Sequence, residues 1–274
     1  MASRTFGTWT NTGMTARAGP ITFTISRNFF SVEPMRTILF LGAILSAGAS
    51  AASTCDANAL GTARTLVLKR EYGAWGKAQH EALPLQKGEV VLTFDDGPRP
   101  ESTPLVLKAL ADQCVKATFF MIGRNVEQSP ELARQVAREG HSTASHSYAH
   151  ASLGRLAPAD QLEDLRLANA SYRVAFGVQP PAYRFPYLDE TPDMMAALKS
   201  QNIAVFSVDM GVDDWQDNDT TGILAARLAE RLKTSGGGIV LMHDAHQATA
   251  NAMPILLKVL QAGGFRVVHI DWEK

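Results

Sequence analysis

From Val90 onward the chain alternates short apolar runs with longer stretches of helical period, and this alternation constrains the fold more than any other feature. The apolar runs are Val90 to Phe94, Ala117 to Ile122, Ser142 to Ser145, Tyr183 to Phe185, Ala204 to Val208, Gly238 to Met242 and Phe265 to Ile270. Between them lie Pro104 to Asp112, Pro130 to Glu139, Pro158 to Phe176, Pro192 to Ser200, Thr221 to Thr234 and Ala250 to Ala262. Strand and helix taking turns in this way predict parallel βαβ units. About seven such strands can close into a barrel or lie as an open doubly wound sheet, and spacing does not choose between the two.

The first run ends abruptly. Glu89-Val90-Val91-Leu92-Thr93-Phe94 is rich in residues that favour a strand, and Gly97-Pro98 forbids its continuation, so Asp95 and Asp96 stand at a strand tip. Adjacent side chains of a regular strand point to opposite faces, but a tip bending into a Gly-Pro turn can aim both at one space. One carboxylate could then bind a metal while the other takes a proton. The plainer alternative is a pair of turn-forming aspartates that bond their own backbone.

The N-terminal part differs from the rest. Residues 1–34 carry scattered Thr, Ser, Gly and Arg without apolar period. Met35-Arg36 then precedes the apolar run Ile38 to Leu45 and the small residues Ala47 to Ala52, which reads as a secretory signal peptide over residues 35–51, with Met35 a plausible start. The apolar core is short for a bilayer span, so no stable membrane insertion is expected after cleavage, and the product is expected outside the cytoplasm, periplasmic or extracellular. In an oxidising compartment an even cysteine count favours a disulfide between Cys55 and Cys114, with two buried thiols as the alternative. Residues 52–87 read as an irregular segment of the mature chain, with a short strand near Thr65 to Leu68, and residues 88–274 as the core domain. A net charge of −1 without any Lys/Arg run makes nucleic acid and anionic membrane poor partners.

Chemistry-bearing residues recur at the strand ends. His146-Ser147-Tyr148-Ala149-His150 follows the third run, and a separation of four puts both imidazoles on one face if the segment is a helical turn. With one carboxylate from the Asp95-Asp96 pair, two histidines form a catalytic rather than a structural metal set, since a position stays open for water. Arg184 ends the fourth run and could hold a carboxylate by a forked pair. Asp209 ends the fifth, with Asp213-Asp214-Trp215 in the loop behind it, and His243 ends the sixth. A histidine oriented by a carboxylate can give a proton to a leaving amine. His80, His141, His246 and His269 have no comparable setting and read as structural or exposed.

Thr93-Phe94-Asp95-Asp96-Gly97-Pro98, His146-Ser147-Tyr148-Ala149-His150, Arg184-Phe185-Pro186-Tyr187, Asp214-Trp215 and Leu241-Met242-His243 resemble, in order, the five motifs of the polysaccharide deacetylase family, also called the NodB-homology domain or carbohydrate esterase family 4. The resemblance spans residues 88–270. It implies a distorted (β/α) barrel of about seven parallel strands that removes N-acetyl, or sometimes O-acetyl, groups from sugar polymers. By position it implies Asp96, His146 and His150 as ligands of a divalent metal, usually Zn2+, and Asp95 as the base that activates water. Arg184 would tether Asp95, the backbone N–H of Tyr187 would help stabilise the oxyanion, and His243, tuned by Asp214, would protonate the amine. Trp215 and Leu241 would line the acetyl pocket. Two positions depart from the family pattern: Leu188 stands where glycine is common, and Asp209 is farther from Asp214 than usual. Both are expected at the rim of the groove.

The leading expectation is thus an exported metal-dependent hydrolase of N-acetylglucosamine units in chitin-like oligomers or peptidoglycan. Alternatives are an O-acetylated polysaccharide or a small amide as substrate, or a non-catalytic carbohydrate-binding domain. A glycosidase built on Asp95 and a second carboxylate would leave both histidines idle.

Overall fold

Every residue of the strand Glu89–Asp95 is buried, which a strand achieves only where both faces of its sheet are covered. Its side chains divide by the strand period of two. Val90, Leu92 and Phe94 pack with helix residues such as Val106, Leu110 and Leu256, whereas Val91 joins Phe120, Phe206, Ile239 and Ile270 on the opposite side. Thr93 and Asp95 share the parity of Val91 and so face that inner space.

The computed structural model describes residues 55–216 and 218–273; the extension and leader expected within residues 1–51 lie outside them. In chain order the elements are β1 (Thr62–Leu68), β2 (Ala74–Trp75), β3 (Glu89–Asp95), α1 (Thr103–Asp112), β4 (Thr118–Met121), α2 (Gly123–Gln128), α3 (Pro130–Arg138), β5 (Ser142–Ser145), α4 (Pro158–Phe176), β6 (Ala182–Tyr183), α5 (Pro192–Ser200), β7 (Ala204–Phe206), β8 (Met210–Gly211), α6 (Thr221–Ser235), β9 (Gly238–His243), α7 (Gln247–Ala262) and β10 (Arg266–Trp272). Single 3₁₀ turns lie at Leu153–Arg155 and Pro186–Leu188. Proline opens α3, α4 and α5, where its missing N–H costs nothing, and Gly177 and Gly236 close α4 and α6 in the left-handed conformation.

All strand pairs are parallel, in the order β1-β10-β3-β4-β5-β6-β7-β2, with β9 on β3 and β8 on β9. The stretch 204–211 pairs with β6 at its start and with β9 at its end, so the strand order comes round on itself. This is a distorted (β/α) barrel, and it settles what spacing left open. Helices cover the outside, and their apolar faces bury Leu107, Leu110, Leu228 and Leu256 at 1% exposure or less. Truncating one of these leucines to alanine costs roughly 2–5 kcal/mol.

The segment read as irregular supplies two strands. β1 adds to β10, and β2 adds to β7. Cys55 and Cys114 are joined by a disulfide with Cα atoms 6.0 Å apart, and nearby the Gly61 N–H donates to the Gln113 carbonyl at 2.9 Å. The short helix α2 was not legible because Gly-Arg-Asn-Val-Glu-Gln has no apolar period. Tertiary contacts hold it: the Gly123 N–H donates to the Ser147 carbonyl, and the Asn125 side chain donates to the Asp96 carbonyl at 2.8 Å.

Candidate active site

The C-terminal ends of β3, β5, β6, β8 and β9 open on one rim, around a cavity of about 460 Å³. Asp95 ends β3 with its side chain inward. The next residue, Asp96, has a φ of 73°, and this left-handed step turns its carboxylate toward the rim instead of the outer layer that strand alternation would give it. Gly97 follows, joined to Pro98 by a cis peptide bond, where a Cβ would run into the buried Asp244 carboxylate. No other residue leaves room for that approach.

His146 and His150 converge on the same point, but not from a helical turn. Residues 146–150 form an irregular loop with Ser147 and His150 both left-handed, at φ 63° and 56°. The expected helical spacing is corrected accordingly. The loop is tied instead by hydrogen bonds: the His150 N–H donates to Ser147 Oγ at 2.8 Å, and the Asp164 carboxylate accepts from the Tyr148 and Ala149 N–H groups. Nδ1 of His146 donates to the Arg184 carbonyl at 2.8 Å, which leaves Nε2 with its lone pair turned to the rim. Burial holds this imidazole down at about 3, so it is neutral at ordinary pH.

Asp96 Oδ1 lies 3.1 Å from His150 Nε2 and 3.4 Å from His146 Nε2, and it is buried without a hydrogen-bond partner. The three residues line one cavity, and their ligand atoms lie within 4.8 Å of one another. An orphaned buried carboxylate oxygen beside two imidazole nitrogens is a donor set that fits a small divalent cation, and the residues satisfy the requirement for mixed nitrogen and oxygen ligands.

Arg184 lies wholly inside the barrel. Its Nη1 donates to Asp95 Oδ1 at 2.7 Å and to Thr93 Oγ1 at 2.8 Å, Nε donates to the Phe206 carbonyl and Nη2 to the Ser207 carbonyl. The guanidinium also lies 4.1 Å above the Phe120 ring. Four of its five N–H groups are thereby used, which offsets much of the cost of burying the charge. Burial pushes the Asp95 carboxyl upward from its usual range, and the Arg184 charge opposes that rise.

Asp95 and His243 are register partners on β3 and β9. Asp214 Oδ1 accepts from His243 Nδ1 at 2.7 Å, and Oδ2 accepts from the His243 N–H and the Thr249 hydroxyl. Burial acts to lower the His243 imidazole, but the Asp214 bond and charge, helped by Asp95 and Asp96, outweigh it and hold the ring up at about 9. The Trp215 ring stands edge-on to His243, with centroids 5.4 Å apart, and Leu241, Phe185 and Tyr187 line the same cavity. Trp215 and Tyr187 are exposed, at 50% and 69%.

Two expectations change. Leu188 does line the cavity, but Asp209 does not: it accepts from the Lys77 and Ile239 N–H groups at the opposite end of β9, and so has no place at the groove rim. His246 also differs, for it lines the cavity with its ring 5.5 Å from that of His243. Only its position three residues after His243 hinted at this. His141 and His269 are buried structural groups, and His80 pairs with Glu190.

Barrel and rim together define a hydrolase of the (β/α)-barrel type. Comparison with known proteins carries this further. The polysaccharide deacetylase profile matches residues 82–206. A chitooligosaccharide deacetylase of Bradyrhizobium sp. is 34% identical over 193 residues, covering 65% of this chain and 87% of the relative. A peptidoglycan-N-acetylmuramic acid deacetylase of Bacillus subtilis is 29% identical over 71% of this chain, which spans 42% of that longer protein. A solved peptidoglycan deacetylase of Bdellovibrio bacteriovorus superposes with a TM-score of 0.66 at 30% identity, over 77% of this chain and 59% of its own. The chain belongs to the polysaccharide deacetylase family.

Proposed function

We propose that the protein is an exported, metal-dependent polysaccharide deacetylase that hydrolyses N-acetyl groups of N-acetylglucosamine units in chitin-like oligomers or peptidoglycan. As a family member it is a hydrolase acting on carbon–nitrogen bonds other than peptide bonds. The observation that carries the reading is the pairing of Asp95 and His243 across β3 and β9, in the same cavity as the orphaned Asp96 oxygen and its two imidazoles.

Asp96, His146 and His150 would hold a divalent cation, Zn2+ suiting the nitrogen-rich set, which when bound supplies the Lewis acidity that lowers the pKa of water and polarises a carbonyl. Asp95, fixed by Arg184, takes the proton of the attacking water. As the carbonyl carbon becomes tetrahedral, the Tyr187 N–H donates to the growing oxyanion. Nδ1 of His243 is occupied by Asp214, so Nε2 delivers a proton to the amide nitrogen, the C–N bond breaks, and acetate and a free amine leave. Trp215 and Leu241 enclose the acetyl methyl and exclude water from the apolar side. The relatives' acetylated glycans supply the substrate class, a chitooligosaccharide in one case and peptidoglycan in another.

Export is supported by the apolar segment after Met35 and by the Cys55–Cys114 disulfide, a bond that persists in oxidising compartments. Among the described residues no helix is long and apolar enough to cross a membrane.

The test is acetate release from a chitooligosaccharide and from purified peptidoglycan by protein stripped with chelator and then reloaded with zinc. Zinc-dependent acetate from either substrate is expected. Zinc binding with no acetate from either would remove N-deacetylation of these polymers as the function.

A further inference from the structure

Tyr187 and Leu188 are consecutive left-handed residues, at φ 58° and 56°, and neither is glycine. Such a pair is unfavourable for L-residues and persists only where the surroundings over-determine it. The C-terminal side of the turn is held by Asp189, whose carboxylate accepts from the Ser152 hydroxyl and the Gly154 N–H, both at 2.9 Å. The other hold comes from far away in sequence. Gln79, in the segment between β2 and β3, donates from Nε2 to the Leu188 carbonyl at 2.9 Å, and its neighbour His80 meets Glu190 at 2.7 Å.

The same Gln79 side chain accepts, through Oε1, from the Ser207 hydroxyl at 2.7 Å. The Ser207 carbonyl is one of the acceptors of the Arg184 guanidinium, which holds Asp95. One amide therefore joins the turn that carries the Tyr187 N–H to the backbone that seats the arginine behind Asp95. A side-chain amide can make both bonds because it donates from its nitrogen and accepts at its oxygen.

We infer that Gln79 is a positioning residue for the deacetylase site, clamping the left-handed Tyr187-Leu188 turn against the Ser207 backbone so that the Tyr187 N–H and the Arg184–Asp95 pair are held in one frame. The role in turnover rests on the proposed function, but the clamp itself does not. Gln79 touches neither the substrate cavity nor Asp95, and it acts only through Leu188 and Ser207.

The experiment follows hydrogen exchange of the amides of residues 188–190 in the metal-free full chain, for wild type, Gln79→Ala, Gln79→Glu, Leu188→Gly and the double variant Gln79→Ala/Leu188→Gly. Gln79→Ala is expected to speed exchange about tenfold, the factor that one unfavourable left-handed residue represents. Gln79→Glu should do the same, since it keeps an acceptor for Ser207 but turns an oxygen toward the Leu188 carbonyl. In the Leu188→Gly background, where φ near 56° is unstrained, adding Gln79→Ala should change exchange less than threefold. Unaltered exchange in Gln79→Ala, or an equal acceleration with glycine at 188, overturns the clamp. With zinc restored, kcat of Gln79→Ala should fall about tenfold at unchanged KM. Faster exchange with unchanged kcat overturns the positioning role, whereas a wild type that releases no acetate overturns the functional reading and leaves the exchange result to decide the clamp.

Discussion

Nη1 of Arg184 lies 2.7 Å from Oδ1 of Asp95 in the interior of the barrel, with the guanidinium closed to solvent and the carboxylate 4% exposed. An ion pair so placed contributes little net stability against an apolar replacement, because desolvation offsets the attraction. What it gives is orientation: one oxygen of Asp95 is taken by the arginine, and the other, 3.8 Å from His146 Nε2, faces the space beside the imidazoles.

Asp95→Asn should therefore reduce acetate release by about 10²–10⁴-fold, the usual contribution of a positioned general base. Zinc affinity should survive, since Asp96, His146 and His150 remain. Folding should survive with a loss of about 2–4 kcal/mol, because Arg184 keeps Thr93, Phe206 and Ser207 as acceptors but loses its counter-charge. Zinc titration, urea unfolding and acetate release on one preparation check all three. Full turnover in Asp95→Asn would show that another group takes the proton.

His243 is held at about 9 against an ordinary histidine value near 6.5. Its folded-state value is the higher one, so the stability it contributes, about 3 kcal/mol, is fully present below pH 6.5 and is lost as pH rises through 9. Imidazole NMR of the metal-free protein should show the high titration, and urea unfolding should show a lower midpoint at pH 9.5 than at pH 6. Asp214→Asn removes the charge that outweighs burial, so the His243 titration should drop below 7. A titration that stays near 9 in that variant would assign the shift to Asp95 and Asp96.

On the acid side a buried histidine remote from the rim contributes, alongside His146. Nδ1 of buried His141 accepts from the Ala117 N–H at 3.1 Å, and burial, with Lys116 nearby, lowers its value to about 3. Here the unfolded chain binds the extra proton, so stability is full above pH 6.5 and falls as pH drops toward 3, by up to about 4 kcal/mol. His141→Asn, which keeps an acceptor but cannot titrate, should flatten the decline in unfolding midpoint between pH 6.5 and 4. An unchanged decline would place the acid sensitivity in His146 and the carboxylates instead.

Reduction of Cys55–Cys114, whose cysteines are 59 residues apart, should lower stability by about 4 kcal/mol through the entropy returned to the unfolded chain. Urea unfolding with and without reductant measures it. Neither cysteine lines the cavity that holds Asp96, His146 and His150, so the folded, reduced protein should keep its zinc affinity.

Much of this was legible because the signals are local. α4 and α5 run from Pro158 to Phe176 and from Pro192 to Ser200 as their periods predict, and β5 occupies Ser142–Ser145. The strand ending in Asp95 announced itself through β-branched residues and a Gly-Pro stop. The His146–His150 pair was visible as a spacing, yet the reason for its convergence was mistaken. The loop works through left-handed backbone at Ser147 and His150, a conformation that non-glycine residues do not advertise. Asp209 looked like its neighbours at strand ends. Only the fold shows that it serves the far end of β9.

The sequence by itself determined the βαβ succession, the motif residues at its strand ends and the presence of two cysteines, because propensity, periodicity and residue chemistry act over a few neighbours. Tertiary structure decided the rolling of the sheet, where the stretch 204–211 passes from β6 to β9, the burial of Arg184 behind Asp95, and the tie from Gln79 to Leu188. Those depend on which distant backbones come to lie side by side, and no local propensity encodes a distance across 109 residues.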